Sequence, residues 1–304
     1  MSNFASGARR DLSYVAESAY GTTPGAPGLQ LLRTTGDTLD ETRQANVSEE
    51  IRADRAIADV RHGQRSVAGD INFELSYGTF DDLLEATVGG TWTADVLKVG
   101  ITKRSFTFER PFRDIGVYQV FRGCALNTFS LSLTPGGNIT GTFNVLGRDS
   151  VVNDAELATP AAPTTVSPFD SFSGSLTEGG VSAPVSGLTL QLANGLEQQF
   201  LLFDKGASGF TLGRSNVTGT VTAYFTDKTL LEKFLNESES ALLVTLSDPS
   251  GNQYQISLPR IKYTGATIPV EGEGSLQINL PFQALHDGTE QSAIVITRTP
   301  AVTP

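Results

Sequence analysis

Residue types that could do chemistry are scarce here and scattered. The imidazoles are His62 and His286, and the single thiol is Cys124. A structural zinc site takes four soft ligands, and three cannot fill one. The two histidines fall at unlike points of the repeat described below, so each reads as a surface or loop residue. Cys124 opens an apolar strand and reads as a small buried hydrophobe; alone it closes no intramolecular disulfide. The nucleophile elbow G-x-S-x-G, the phosphate loop G-x-x-x-x-G-K and the zinc motif H-E-x-x-H are absent. Carboxylates are plentiful, but a glycan hydrolase needs two that face each other in a cleft, and solvated charge is the plainer reading. No catalytic residue, metal or cofactor is expected.

The charge balance narrows the partners. Lys and Arg total 22 against 33 Asp and Glu, a net charge of −11. Tight grip on nucleic acid needs cations that displace counterions from phosphates, which is the opposite sign. Arg9 and Arg10 are followed by no apolar run, so no signal peptide is visible. No stretch approaches the roughly 18 apolar residues of a membrane helix. A soluble chain made in a cytoplasm is expected, and the N-x-S/T sequons at Asn46, Asn138, Asn216 and Asn236 then read as chance matches.

The most unusual stretch runs from Asp37 to Arg65, rich in both signs and without a helical stripe. It reads as a long connection, either a solvated loop or an interaction arm. Every cation in it is arginine, suited to bidentate pairing with carboxylates on a neighbour.

Around these residues the elements are mainly strands. Ile71, Phe73, Leu75 and Tyr77 alternate with polar neighbours, as do Ile139, Phe143 and Val145, then Leu188, Leu190 and Leu192, Val217 and Val221, and Leu276, Ile278 and Leu280. A period of two with one apolar face describes half-buried antiparallel strands. Two short helices are expected, near 79–87 and 229–236, with Thr79 and Thr229 as caps and Asp82 and Glu232 three residues on. Their offset of about 150 holds upstream, where Gly63, Val67, Gly69 and Ile71 match Gly213, Val217, Gly219 and Val221. Downstream, Phe121–Asp149 and Leu258–Asp287 share a strand–turn–strand rhythm. A tandem duplication is expected, with domains 31–157 and 185–304 after an N-terminal arm, 1–30. Residues 158–184 form a Pro/Thr/Gly-rich linker and lead-in.

Three runs then bring a family into view. Glu17-Ser18-Ala19-Tyr20-Gly21-Thr22-Thr23-Pro24, Leu32-Arg33-Thr34-Thr35-Gly36 and Ser48-Glu49-Glu50-Ile51-Arg52-Ala53-Asp54-Arg55 resemble major tail proteins of long-tailed, non-contractile bacteriophages. The Gly69 strand, the Phe80-Asp81-Asp82-Leu83-Leu84 helix and Gly90-Thr91-Trp92 continue the resemblance, which is strongest over residues 10–150. It implies a mainly β fold of two tandem tail-tube-like β-sandwich domains, each with one short flanking helix, whose sheets join into a β-barrel ring. It implies stacked rings that conduct the genome, a tape-measure protein in the lumen, terminator and distal tail proteins at the ends, and passing double-stranded DNA. The expected place is the virion tail, assembled in the host cytoplasm, with no membrane partner. Family members commonly give one domain per chain and six chains per ring. Two domains per chain would instead give a pseudo-sixfold trimer, with a hexamer as the alternative. A β-sandwich binding module, such as a virion decoration or adhesin, is the rival reading; a lone Trp92 and scattered tyrosines give it little support.

Two sets of residues follow as expectations. Tyr20, Pro24, Glu49, Glu50, Arg52, Asp54, Arg55, Asp59 and Arg61 should join adjacent subunits or rings. Asn72, Glu74, Thr140, Thr142 and Asn144, with Thr220, Thr222, Gln277 and Asn279, should line the channel, short polar groups that do not hold DNA; the alternative puts them on the outer surface.

Overall fold

Alternation of apolar and polar residues builds nearly everything in this chain. The structure, a computed structural model, describes residues 4–7, 10–270 and 272–301; Arg9 lies outside them. The first half contains β1 (Leu12–Ala16), β2 (Gln30–Leu32), β3 (Thr34–Asp37), β4 (Asp40–Val47), β5 (Val60–Glu74), α1 (Asp81–Val88), β6 (Val96–Lys98), β7 (Phe106–Phe112), β8 (Val117–Leu133), β9 (Thr140–Gly147) and β10 (Asp149–Asn153). The second contains β11 (Gly174–Glu178), β12 (Val181–Ser182), β13 (Val185–Ala193), β14 (Glu197–Gln199), β15 (Gly209–Thr211), β16 (Asn216–Tyr224), α2 (Thr229–Leu235), β17 (Glu239–Ser247), β18 (Gln253–Tyr263), β19 (Gln277–Ala284) and β20 (Val295–Thr299).

The order of pairing recurs. In the first half β5 pairs with β9, β9 with β8, and β8 with both β7 and β10. In the second, β16 pairs with β19, β19 with β18, and β18 with both β17 and β20. β3 and β4 flank β5 as β13 flanks β16, and β1 lies on β7 as β11 lies on β17. All these pairs are antiparallel. β8 joins the halves by pairing with β13, from Thr128 opposite Ala193 to Leu133 opposite Leu188. One continuous sheet therefore runs β4–β5–β9–β8–β13–β16–β19–β18.

Two glycines mark the same place in this order. A Cβ on Gly69 would lie 2.5 Å from the carbonyl oxygen of Thr38, and one on Gly219 would lie 2.2 Å from that of Thr189. Flanking strands approach so closely there that only glycine fits.

The apolar face of the sheet is the core. Phe73 packs on Phe80 at 4.4 Å and on Phe143 at 4.7 Å between ring centroids, and Phe143 on Phe129 at 5.2 Å. Leu188, Leu190, Leu192, Val217, Val221, Ile278 and Leu280 continue it across the second half, all buried. The helices differ in depth. α1 buries Leu83, Leu84 and Val88, whereas α2 has no fully buried residue and rests Leu230, Leu231 and Phe234 against the core.

Several expectations are corrected. Neither threonine caps its helix. The Thr79 hydroxyl is spent on Ser76 Oγ at 2.7 Å and on Thr164, because both Ser76 and Thr79 are buried and need partners there. Thr229 is itself helical, and the carboxylate of Asp227 accepts its backbone N–H at 2.7 Å; hydrogen bonds from the Thr229 hydroxyl and then this N–H hold the Asp227 pKa below its usual range. Asp37–Arg65 is not a long connection but mostly a hairpin: β4 pairs with β5 from Asp40 opposite Ala68 to Val47 opposite Val60. Leu276 lies outside β19 and is exposed, although Ile278 and Leu280 follow the alternation. The Pro/Thr stretch is extended, as expected, yet it is docked rather than free. Ala161 exchanges backbone hydrogen bonds with Leu29 and Leu31, Arg33 donates to the Val166 carbonyl at 2.5 Å, and Phe169 is wholly buried.

A polar sheet face and two arms as the candidate functional site

Opposite the core, the other face of the same sheet is largely polar, with Leu146 and Pro281 as apolar exceptions. Residues directly opposite in a ladder point to one side, so the register groups them. Asn72, Thr142, Ser130, Gln191, Thr218 and Gln283 form one row across six strands. Glu74, Thr140, Ser132, Thr189, Thr220 and Pro281 form the next. Asn144 faces Asp70 in the first half; Thr222 faces Asn279, and Tyr224 faces Gln277, in the second. All nine residues expected to line a channel thus share one face.

That face is concave and neutral in character. Its hollow, about 710 Å³, spans both halves; Thr, Ser, Asn and Gln side chains line it together with apolar groups of Phe73, Leu131, Leu190, Pro281 and Phe282. Thr142 donates to Asn72 Oδ1 at 2.8 Å, and Thr222 donates to Asn279 Oδ1 at 2.9 Å, a threonine–asparagine pair at matching points of the two halves with the two residues exchanged between strands. Asn144 donates to Asp70 at 2.7 Å. Asp70 and Glu74 are the acids of these rows; the first row continues past Gln283 to one cation, Lys262 of β18, which is paired with Glu237 at 2.9 Å. Such a surface offers hydrogen bonds to a passing polyanion without the clustered cations that hold one.

Two arms leave the sheet at matching places, between β4 and β5 and between β13 and β16. The first carries the expected interface residues at its tip, but several of them pair within the arm. Arg52 binds Asp54 through two hydrogen bonds of 3.0 and 3.1 Å, and Arg61 binds Asp59 at 3.0 Å. Arg52 and Asp54 hold each other's charge: its pKa is raised and that of Asp54 lowered. Among the described residues the side chains of Glu49, Glu50 and Arg55 form no hydrogen bond or ion pair. Ile51 is 98% exposed and Ile57 69%. The second arm is the β14–β15 hairpin, whose tip Leu201-Leu202-Phe203 is exposed, with Phe203 at a φ of 69°. Tyr20 is placed apart from the first arm: its ring packs on Phe210 of the second at 5.7 Å. Burial pushes the Tyr20 hydroxyl up to about 12. Pro24 is half-buried in the same segment.

Buried charge ties these parts together, and sequence reading missed it. Asp149 is 1% exposed and meets Arg122 at 2.7 Å, Arg65 at 3.0 Å and Arg148 at 3.5 Å. Arg148 also binds Asp204 in the second arm at 2.9 Å. Asp37, near-buried, takes Arg110 at 2.6 Å. Between the halves, Arg298 of β20 binds Asp95 at 2.7 Å and also Asp81 of α1, and stacks over Trp92 at 4.6 Å. Apart from the neighbours Arg148 and Asp149, these partners lie tens to hundreds of residues apart, so no local spacing announces them.

The residues with catalytic potential stay apart. His62 and His286 are exposed on different strands and loops, and Cys124 is fully buried, its thiol pushed up by desolvation. No group of three or more His, Cys, Asp or Glu among the described residues could hold a metal ion. No helix of those residues is long and apolar enough to cross a membrane.

No curated protein matches the chain. A family model does, over nearly its whole length, residues 7–284, and the family is described as phage tail tube protein. With this sheet, its polar concave face and its projecting arms, the chain belongs to the phage tail tube protein family, a structural component of the virion tail.

Proposed function

We propose that each chain supplies two equivalent repeats of the tail tube wall, and that three chains close a pseudo-sixfold ring. The rings stack into the tube of a long-tailed, non-contractile phage and conduct the genome during ejection. The polar face lines the bore, where the tape-measure protein lies before DNA passes. Terminator and distal tail proteins meet the ends. Six chains per ring is the alternative, in which one half alone builds the wall.

One observation carries this reading: the junction inside the chain has a counterpart at its free edges. Ser130 of β8 stands opposite Gln191 of β13. Ser130 is opposite Thr142, which is opposite Asn72; Thr267 is opposite Asn279, which is opposite Thr222. Thr267 therefore holds in the second half the place of Ser130. Asp40 is opposite Ala68 as Gln191 is opposite Thr218, so it holds in the first half the place of Gln191. Both Thr267 and Asp40 are exposed, and among the described residues no strand pairs with either on its other side. Pairing the Thr267 edge of one chain with the Asp40 edge of the next repeats the internal junction and removes both edges. Such a contact is heterologous and closes into a ring when the rotation allows.

A double variant, Asp40→Cys with Thr267→Cys, tests the pairing. Under oxidation it should give covalent rings of linked chains on non-reducing gels, while either single variant stays unlinked. Cys124 is buried and does not compete. Monomer alone from the double variant, in preparations that contain tubes, would refute the edge pairing.

A further inference from the structure

The base of the first arm carries a hollow that is cationic in a chain otherwise strongly acidic. Arg43, His62, Gly63, Arg65 and Lys205 line it, in a volume of about 380 Å³. It lies where the two arms meet: the Arg65 backbone N–H donates to the Lys205 carbonyl at 2.8 Å. Behind it the three guanidiniums of Arg65, Arg122 and Arg148 share the single buried carboxylate of Asp149, and Arg65 Nε is buried with no partner. Asp204 and Glu41 offset part of this charge through Arg148 and Arg43. Arg65, Arg122, Arg148, Arg43 and Lys205 still outnumber Asp149, Asp204 and Glu41. Beside the hollow stands the apolar tip Leu201-Leu202-Phe203, with Phe203 entirely exposed. A non-glycine residue at positive φ costs on the order of 1 kcal/mol or more, and here that strain presents an aromatic ring to solvent.

The same chain holds a segment of complementary character. At the tip of the first arm Glu49 and Glu50 have no side-chain partner among the described residues, and Ile51 beside them is exposed. The tip cannot fold back to its own base. The β4–β5 ladder holds the hairpin extended from Asp40–Ala68 to Val47–Val60, and the strand from Arg43 to Val47 alone spans about 13 Å, with Ser48 and Glu49 beyond it. A second copy of the chain, displaced along the arm, can bring its tip to this base.

We infer that Glu49-Glu50-Ile51 of one copy seats on the neighbouring copy's arm base, carboxylates in the Arg43/His62/Arg65/Lys205 hollow and Ile51 against Leu201–Phe203. Tip and base are different surfaces, so the contact is heterologous and non-closing and repeats indefinitely, as stacking requires. This inference rests on the tube reading and names the surface through which rings stack.

Charge reversal on each side, then on both, is the test. Glu49→Lys with Glu50→Lys, and separately Arg43→Glu with Lys205→Glu, change exposed side chains, and thermal unfolding checks that each chain stays folded. Assembly is followed by light scattering and negative-stain electron microscopy. Each pair alone should leave closed rings and lower the yield of tubes at least tenfold, and the chain carrying all four changes should regain tubes. Tubes at parental yield from both pairs, or no recovery in the fourfold variant, would overturn the contact while leaving the tube intact. A parental chain that forms no rings would overturn the tube reading itself, and this inference with it.

Discussion

Lysine at Thr142 and Thr222 together should slow genome ejection while tubes still form. The two threonines lie in matching cross-strand pairs of the polar face with donor and acceptor strands exchanged, each donating to an asparagine across the strand pair. Losing those hydrogen bonds costs about 1 kcal/mol each, because the groups are half-exposed and water replaces the partner. The fold should tolerate that. The bore should not, since every ring would gain a girdle of ammonium groups with no carboxylate partner. Phosphates release counterions on meeting such groups, and the attraction accumulates along the tube. The delay should grow as salt is lowered and screening weakens. Ejection timed by dye release from tails carrying both lysines is the readout. Unchanged kinetics from intact tails would move this face to the outside.

Asp149→Ala should destabilise the chain by about 3 kcal/mol, since removing one member of a buried charge pair strands the rest. Three arginines face the vacated carboxylate, two of them within 3.0 Å. Their side chains are 26–30% exposed, so partial hydration keeps the loss at the lower end of such effects. Asp149→Asn keeps the volume and one of the two acceptor oxygens and should cost less. Urea unfolding followed by circular dichroism measures both. Because Arg148 also holds Asp204, Asp149→Ala should additionally loosen the second arm, seen as faster amide exchange around Leu201–Gly206. Equal stability of parent and Asp149→Ala would show that the arginines are solvated independently of this carboxylate.

What the sequence made legible depends on whether an element has one wet and one dry face. β5, β9, β13, β16 and β19 do, and their alternation identified them along with the residues of the polar face. β4 does not: seven of its eight positions are exposed and one is half-buried, so no period marks it and a charged strand reads as a connection. Ser130 and Ser132 alternate with Phe129 and Leu131 as plainly as their neighbours do. Nothing local says that β8 lies between β9 and β13, so their place in the rows was invisible. The cap assignments failed for a related reason. Thr79 follows the capping rule in sequence, but burial beside Ser76 and Thr164 supplies stronger claims on its hydroxyl. The docked Pro/Thr stretch shows the same limit, because composition indicates an extended chain and only tertiary contacts say what it lies on.

The central claim is that one chain gives two wall repeats, and the mass of a single ring tests it most directly. Tubes dissociated gently and weighed by native mass spectrometry should yield rings of about three times the 32.3 kDa chain, with image averages showing six near-equivalent wall repeats around one bore. Rings of six chains with a single wall repeat from each would contradict it.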